Sequence, residues 1–125
     1  MSKKRKIFGA WGENQAAIYL QGKGYEIIDR NVRTEYGEID LIARQQITQH
    51  SMLVFVEVKT RSSDYYGYPE QSVDQHKQER MLASALAYLQ AHPDVKEDWR
   101  IDVIAIRRLN PGSPPEIMHF ENALT

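Results

Sequence analysis

The sequence predicts a single α/β domain, residues 1–125, in which a mixed central β-sheet is flanked by α-helices. Hydrophobic periodicity gives the order helix, three strands, helix, strand, which is typical of this class. A chain of 125 residues has room for one sheet with helices packed against it. The hydrophobic fraction of 42% and the charged fraction of 26% are ordinary for a globular protein.

Composition excludes several classes of protein. No apolar run is long enough to span a membrane, and no hydrophobic signal segment follows the basic start, so we expect a cytoplasmic chain without a membrane partner. The absence of cysteine excludes disulfides and thiolate metal sites. The net charge of −1 does not by itself indicate a nucleic-acid binder, although residues 1–61 carry ten Lys/Arg against seven Asp/Glu.

The first helix is predicted from Gly9 to about Gly22, after a basic arm of residues 1–7. The arm either contacts phosphate groups or is a solvated terminus, and composition favours the terminus. Within the helix, Glu13 shares a face with small and apolar side chains, namely Ala16, Ala17 and Leu20. A carboxylate in that position either has a partner inside the fold or complements the helix dipole.

Three strands follow, at residues 25–32, 39–43 and 52–59. Alternation along the third strand predicts one face with Leu53, Phe55, Glu57 and Lys59, and an opposite face with Val54, Val56 and Val58. Such a strand is covered on both sides. A carboxylate and an ammonium therefore meet at the end of a buried strand, which is costly unless the charges are paired or hold an ion.

Asp40 interrupts the second strand, just after Gly37. The polar loop of residues 44–51 is of hairpin length, so the second and third strands are expected to pair and to bring Asp40 near Glu57 and Lys59. Two carboxylates can hold Mg²⁺ while leaving positions on it for water and phosphate. A lysine can orient the water or neutralise charge on the phosphate, so the set fits phosphodiester hydrolysis.

The arrangement of Asp40, sixteen intervening residues and Glu57-x-Lys59 resembles the PD-(D/E)xK nuclease signature, with Ile39 in place of the proline. More specifically, the first half of the chain resembles the YraN-like family of uncharacterised bacterial proteins. The matching motifs are Gly9-x-x-Gly12-Glu13-x-x-Ala16, Gly24-Tyr25-x-Ile27, Arg30-Asn31-x-Arg33, Gly37-Glu38-Ile39-Asp40-Leu41-Ile42 and Phe55-Val56-Glu57-Val58-Lys59-Thr60-Arg61. Such proteins are similar to archaeal Holliday-junction resolvases.

The resemblance implies a restriction-endonuclease-like fold and a Mg²⁺-dependent endonuclease, with Mn²⁺ as a substitute. It implies that Asp40 and Glu57 bind the metal, with the Val58 carbonyl as a third oxygen, that Glu13 completes the site, and that Lys59 positions the attacking water. It favours DNA over RNA, and branched or junction DNA among DNA substrates. Because those resolvases act as dimers, it also implies a homodimer.

Further residues are candidates for supporting roles. Glu38 lies two residues before Asp40 on the same strand face, and is either a reserve ligand or a turn acid. Arg33, Arg61 and Lys77 are candidate nucleic-acid contacts, and Arg61 is favoured because it follows Lys59 on the same face. Gln71 is a candidate for polar support of the site. Surface solvation is the simpler alternative for Arg33, as is a helix-start position for Gln71 and Lys77.

The rest of the chain carries fewer signals. Tyr65, Tyr66 and Tyr68 could stack on bases or cap the core. A second helix, residues 73–91, is predicted to bury Leu82, Ala85, Leu86 and Leu89. A last clear strand, 99–106, contains Asp102, which is either another ligand or, as we favour, a buried partner of Arg100. Residues 108–125 are expected to be loose apart from a short edge strand at 116–120, and the four histidines show no zinc-site spacing.

Two other functions fit the same residues. A non-catalytic nucleic-acid-binding or adaptor protein could keep the nuclease fold, although the intact set of Asp40, Glu57 and Lys59 favours an enzyme. A buried ion-pair network that serves only the fold is the third interpretation.

Overall fold

The computed structural model describes residues 3–62 and 75–123 and confirms the α/β class. The elements are α1 Lys3–Gly22, β1 Glu26–Thr34, β2 Gly37–Ile47, β3 His50–Ser62, α2 Gln75–Ala91, β4 Asp98–Arg108 and β5 Glu116–Phe120. Neither helix is both long and apolar enough to cross a membrane over these residues.

The five strands form one mixed sheet in the order β1-β2-β3-β4-β5. β1, β2 and β3 are an antiparallel meander, β3 and β4 are parallel, and β5 returns antiparallel to β4. A parallel pair needs a crossover connection, and α2 lies within the one that joins β3 to β4. This mixed sheet with flanking helices is consistent with a restriction-endonuclease-like domain.

Each face of the sheet is covered by one helix, as the alternation in β3 predicts. The first face packs against α1, in a cluster that includes Ala16, Ala17, Leu20, Leu41, Val54, Val56, Ile104 and Ile106. The second face packs against α2, in a cluster of Ile39, Ile42, Leu53, Phe55, Ala85, Tyr88 and Ile101. The central strands are therefore buried from both sides, and a charged side chain there has little access to water.

The structure extends the first helix toward the start of the chain. α1 begins at Lys3, so residues 3–7 of the predicted basic arm are its first turns. Lysine and arginine are good helix formers, and neither glycine nor proline interrupts the chain before Gly9. The positive charges at the start of the chain are therefore held on a helix.

The predicted core face of α2 is wrong by part of a turn. Leu82 and Leu86 are 42% and 49% exposed, whereas Ala85 and Tyr88 are buried. The ring of Tyr88 packs edge-on against Phe55 at 5.6 Å, so the buried side of α2 includes an aromatic contact that a stripe of leucines does not predict. The side of α2 that faces the sheet is thus set by the position of Phe55.

The strands are longer than predicted, and the chain is ordered beyond β4. The β2–β3 turn consists of only Thr48 and Gln49, because the polar residues before it still pair with β3. The edge strand at 116–120 is confirmed. The expectation of a loose end is wrong through Ala123, whose N–H donates to the carbonyl of Ile101 at 2.8 Å.

Candidate metal centre

The β2–β3 pairing places the side chain of Asp40 against the neighbouring strand β3, as predicted. Regular pairing of the two strands begins with Leu41 opposite Val56, so Asp40 lies where the ladder stops. The N–H of Val58 donates to Oδ2 of Asp40 at 2.8 Å. The side chain of Asp40 therefore satisfies a backbone donor of β3 that the ladder leaves unpaired.

Gly12 sets the distance between α1 and β3. A Cβ added at this position would lie 2.8 Å from Cγ2 of Thr60 and closer still to its Oγ1. Because real Cβ atoms do not approach other atoms so closely, only glycine allows the helix to pack here without displacement. This contact presents Glu13, the next residue, at the edge of the site.

Three carboxylates converge beside this contact. Glu13, Glu38 and Asp40 each offer an oxygen, and these oxygens all lie within 4.8 Å of one another. Glu13 and Asp40 are partly buried, whereas Glu38 is exposed and lies 3.6 Å from the guanidinium of Arg33. The structure therefore brings Glu38, which the sequence left between two roles, into the cluster.

Asn31 belongs to the same cluster, and the sequence analysis gave it no role. The β1–β2 ladder pairs Arg30 with Leu41 and Val32 with Ile39, so Asn31 faces Asp40. Asn31 has a left-handed backbone (φ 51°), and asparagine tolerates this conformation better than most residues do. An asparagine inside a strand, where this residue type is depleted, was the available signal.

The side-chain amide of Asn31 bridges two of the carboxylates. With its nitrogen turned toward the acids, as the hydrogen-bonding partners require, it donates to Glu13 at 2.8 Å and to Glu38 at 3.1 Å. A neutral donor in this position holds the two acids close together without cancelling their charge.

Glu57 lies on the other side of Asp40 and is paired with lysines. Its Oε1 is 3.4 Å from Nζ of Lys59 and 2.9 Å from Nζ of Lys77. Lys59 is almost fully buried, with 4% of its surface exposed. The predicted proximity of Glu57 and Lys59 is thus observed, and Lys77, predicted as a nucleic-acid contact, lies at the site itself.

The electrostatics of the cluster favour protonation. Burial raises the pKa of Asp40 to about 8, the nearby Glu57 acts in the same direction, and the hydrogen bond from Val58 opposes both. Burial also raises the pKa of Glu13, with further contributions from Glu38 and Glu57, while the hydrogen bond from Asn31 lowers it. Crowded acids in a site with little water disfavour negative charge.

The remaining predicted site residues are dispersed. The side chain of Arg33 is 84% exposed at the rim, and Arg61 donates from Nη1 to the carbonyl of Thr60 at 3.0 Å. Val58 contributes its N–H, and the role of its carbonyl as a ligand stays a prediction. Gln71 and the three tyrosines at 65, 66 and 68 lie outside the described residues.

Asp102 is not part of the cluster. It is fully buried on β4, and the guanidinium of Arg100 lies 2.9 Å from its Oδ1, as predicted. Nε2 of His119 lies 2.7 Å from Oδ2, and the N–H of Asn122 donates to Oδ1 at 2.9 Å. The predicted partner of Asp102 is therefore confirmed, and two further partners come from β5 and the turn after it.

Comparison with known sequences identifies relatives over almost the whole chain. A protein of Syntrophotalea carbinolica is 43% identical over 123 residues, which cover 98% of this chain and 95% of the relative. One of Geobacter sulfurreducens is 45% identical over 122 residues, covering 98% and 91%, and one of Desulforamulus reducens is 41% identical over 125 residues, covering 99% and 100%. All three carry the name UPF0102 protein.

The sequence profile of one family matches residues 12–106, from Gly12 on α1 to the end of the buried part of β4. That range contains all the acids and both lysines of the candidate metal centre. The resemblance to an uncharacterised bacterial family is confirmed: the chain belongs to the uncharacterised protein family UPF0102.

Proposed function

We propose that this protein is a metal-dependent endonuclease that hydrolyses phosphodiester bonds in DNA, with branched or junction DNA as its favoured substrate. The observation that carries the proposal is the environment of Asp40. In the part of the chain that the structure describes, no cationic side chain pairs with this carboxyl, although Glu13 and Glu57 lie beside it. Glu38 and Glu57 are paired with cations from Arg33, Lys59 and Lys77, whereas Asp40, over the same residues, lacks the positive charge that a metal ion would bring.

The donor set suits Mg²⁺, or Mn²⁺ in its place. Every candidate side-chain ligand is a carboxylate, the Val58 carbonyl is also an oxygen donor, and hard oxygen ligands are the ones these ions prefer. Glu13 and Asp40 would hold the ion in either of two sets, completed by Glu38 or by Glu57 with the Val58 carbonyl. When bound, the ion supplies positive charge and Lewis acidity to the phosphodiester.

Lys59 would act on the water. Its ammonium is buried beside Glu57, whose Oε1 lies 3.4 Å away and restricts its position. From there it would orient a water molecule in line with the leaving oxygen, so that a bond from water to phosphorus forms as the ester bond breaks. Because a junction requires two cuts, the proposal for that substrate includes a homodimer.

The test is a cleavage assay on end-labelled single-stranded, duplex, flap and four-way-junction DNA, with Mg²⁺ or Mn²⁺. We expect Asp40→Asn and Lys59→Met each to lower the cleavage rate by about a hundredfold or more, with the fold retained by circular dichroism. Asp98→Asn is a matched control, because Asp98 is exposed at the opposite end of the sheet.

Cleavage that persists in Asp40→Asn would overturn the proposed centre. DNA binding without cleavage of any substrate, with either metal, would instead support a non-catalytic nucleic-acid-binding protein that keeps the nuclease fold.

A further inference from the structure

The start of α1 and the ends of β3 and β4 form a cleft of about 630 Å³. We infer that this cleft binds a single strand of nucleic acid, with bases stacking against its aromatic side chains. It is called the basic aromatic cleft below and is lined by Lys4, Arg5, Ile7, Phe8, Trp11, Ser62 and Arg108. The inference rests on the proposed function, because it names the part of the substrate that is held beside the metal centre.

The aromatic part of the cleft is already stacked. The rings of Phe8 and Trp11 are parallel to within 7°, with centroids 5.7 Å apart. The guanidinium of Arg108 lies 4.9 Å from the Phe8 centroid and 5.7 Å from that of Trp11. Arginine over partly exposed aromatic rings is a common platform for unpaired bases.

The positive charge of the cleft favours a nucleic-acid strand over an apolar peptide as its occupant. Its lining has three cations, at Lys4, Arg5 and Arg108, and no acid among the residues that the structure describes. An apolar peptide segment would cover Lys4 and Arg108 without supplying any negative charge to them. A nucleic-acid strand brings one phosphate charge and one flat base per nucleotide, and it matches both features of the lining.

The aromatic rings favour a single strand over a duplex. In a duplex the faces of the bases are stacked on each other and unavailable to protein rings. An unpaired strand exposes these faces, and its phosphates can follow the line of cations along the start of α1.

The cleft and the metal centre are neighbours at one end of the sheet. Trp11 and Glu13 lie on either side of Gly12, the residue that packs on Thr60. Ser62 lies three residues after Lys59 on β3 and pairs with Arg108 on β4. Trp11 and Glu13 project from different sides of α1, so a strand seated in the cleft would turn around the helix at the Gly12–Thr60 contact to reach the carboxylates, and unpaired nucleotides are expected on the approach to the bond that is cut.

The test uses tryptophan fluorescence in EDTA, so that binding is measured without metal or cleavage. The chain has two tryptophans, and Trp99→Phe leaves only Trp11 while keeping an aromatic ring against Phe55. Titration with an oligothymidylate of about 20 nucleotides should quench Trp11, with an affinity that falls steeply as salt rises.

In this background, Phe8→Ala and Arg108→Gln should each weaken binding by about fivefold or more. Lys23→Gln is the matched control, because it also removes a cation from an aromatic ring, that of Tyr19, but beyond the other end of α1. Its affinity should equal that of the background protein.

Absence of quenching, or equal affinity in all three variants, would overturn the inference. So would a dimer, detected by light scattering, that Phe8→Ala dissociates, since it would assign the cleft to a second copy of the chain. Binding that depends on Phe8 and Arg108 supports the inference even if no DNA is cleaved, and loss of cleavage would then count only against the proposed nuclease.

Discussion

Asp40 and Asp102 each place a carboxyl group in an apolar strand of the same sheet, but their surroundings differ. Asp102 lies among hydrogen-bond donors, and Asp40 lies among other acids. Asp102 receives hydrogen bonds from Arg100 and Asn122 and is paired with His119. Over the described residues, Asp40 accepts a hydrogen bond from the Val58 N–H and otherwise lies among acids, with Glu57 within hydrogen-bonding reach. The pKa values diverge accordingly: burial would raise that of Asp102, but its hydrogen bonds hold it below its usual range, whereas the pKa of Asp40 rises to about 8.

The difference shows how a structural carboxylate can be distinguished from a functional one. In Arg100-x-Asp102 the residue two positions earlier, on the same strand face, supplies a cation. In Glu38-x-Asp40 the equivalent residue supplies another acid. The first arrangement pairs Asp102 with a cation on its own strand, whereas among the described residues the second leaves Asp40 without one, which is the charge that the proposed metal ion would supply.

Replacing Asp102, the carboxylate whose hydrogen bonds are satisfied, should have the largest effect on stability. Asp102→Asn leaves the largely buried Arg100 with only the exposed carboxylate of Glu121, 3.6 Å away, as a charged partner among the described residues, and we expect the free energy of unfolding to fall by about 3–5 kcal/mol. Urea denaturation at pH 7 measures the change. Asp98→Asn, on an exposed residue of the same strand, should shift stability by less than about 0.5 kcal/mol. A similar small loss in Asp102→Asn would show that the network around Asp102 contributes little.

Removing the charge of Asp40 should raise the free energy of unfolding instead of lowering it. In EDTA at pH 9, Asp40→Asn should raise the free energy of unfolding by roughly 1–3 kcal/mol, because the wild-type protein must hold a buried carboxylate there. Mg²⁺ should stabilise the wild-type protein and leave the variant unchanged, since a ligand stabilises only the state that binds it. Thermal melts with and without metal measure both effects.

The pH dependence follows from the direction of the shift. The folded-state pKa of Asp40 is about 8, above its usual value of 3.8, so the folded protein retains a proton that the unfolded chain releases. The resulting stability is fully present below the unfolded pKa and is lost as pH rises through the folded pKa. Metal-free wild-type protein should therefore lose stability between about pH 4 and pH 8, and Asp40→Asn should lose less. Parallel profiles for the two proteins would contradict the raised pKa.

A smaller effect should come from the amide that holds the acids together. Asn31→Gly keeps the left-handed backbone and removes the hydrogen bonds to Glu13 and Glu38, so Mn²⁺ affinity measured by calorimetry should fall by about tenfold. Asn122→Gly is the control, because Asn122 has the same φ of 51° and lies beside Asp102 instead. Equal Mn²⁺ affinity in both variants would show that Asn31 does not contribute to the candidate metal centre.

Most of the sheet and the central residues of the site were predictable, because they depend on local patterns. The alternation of Leu53, Phe55, Glu57 and Lys59 fixes which side chains share a face of β3, whatever packs against it. The hairpin between β2 and β3 then brings Asp40 to Glu57.

The features that were missed depend on contacts between distant segments. The rotation of α2 follows from the fit of Tyr88 against Phe55, and helical periodicity alone cannot distinguish it from a stripe of leucines. The role of Asn31 depends on acids from α1 and β2 meeting at its amide. The alternation of side chains along a strand does not predict contacts with another segment. The left-handed backbone at Asn31 is likewise seen only in the folded chain.

The strand order also has a consequence for folding. The residues of the metal centre on β1, β2 and β3 lie in one meander, whose pairings join positions close in sequence, such as Leu41 and Val56. Adding β4 requires Met52 to pair with Asp98 across the whole crossover connection. Closing so long a loop costs more conformational entropy, and contacts of this kind form more slowly. We therefore expect Glu38, Asp40 and Glu57 of the meander to meet before β4 and β5 complete the network around Asp102.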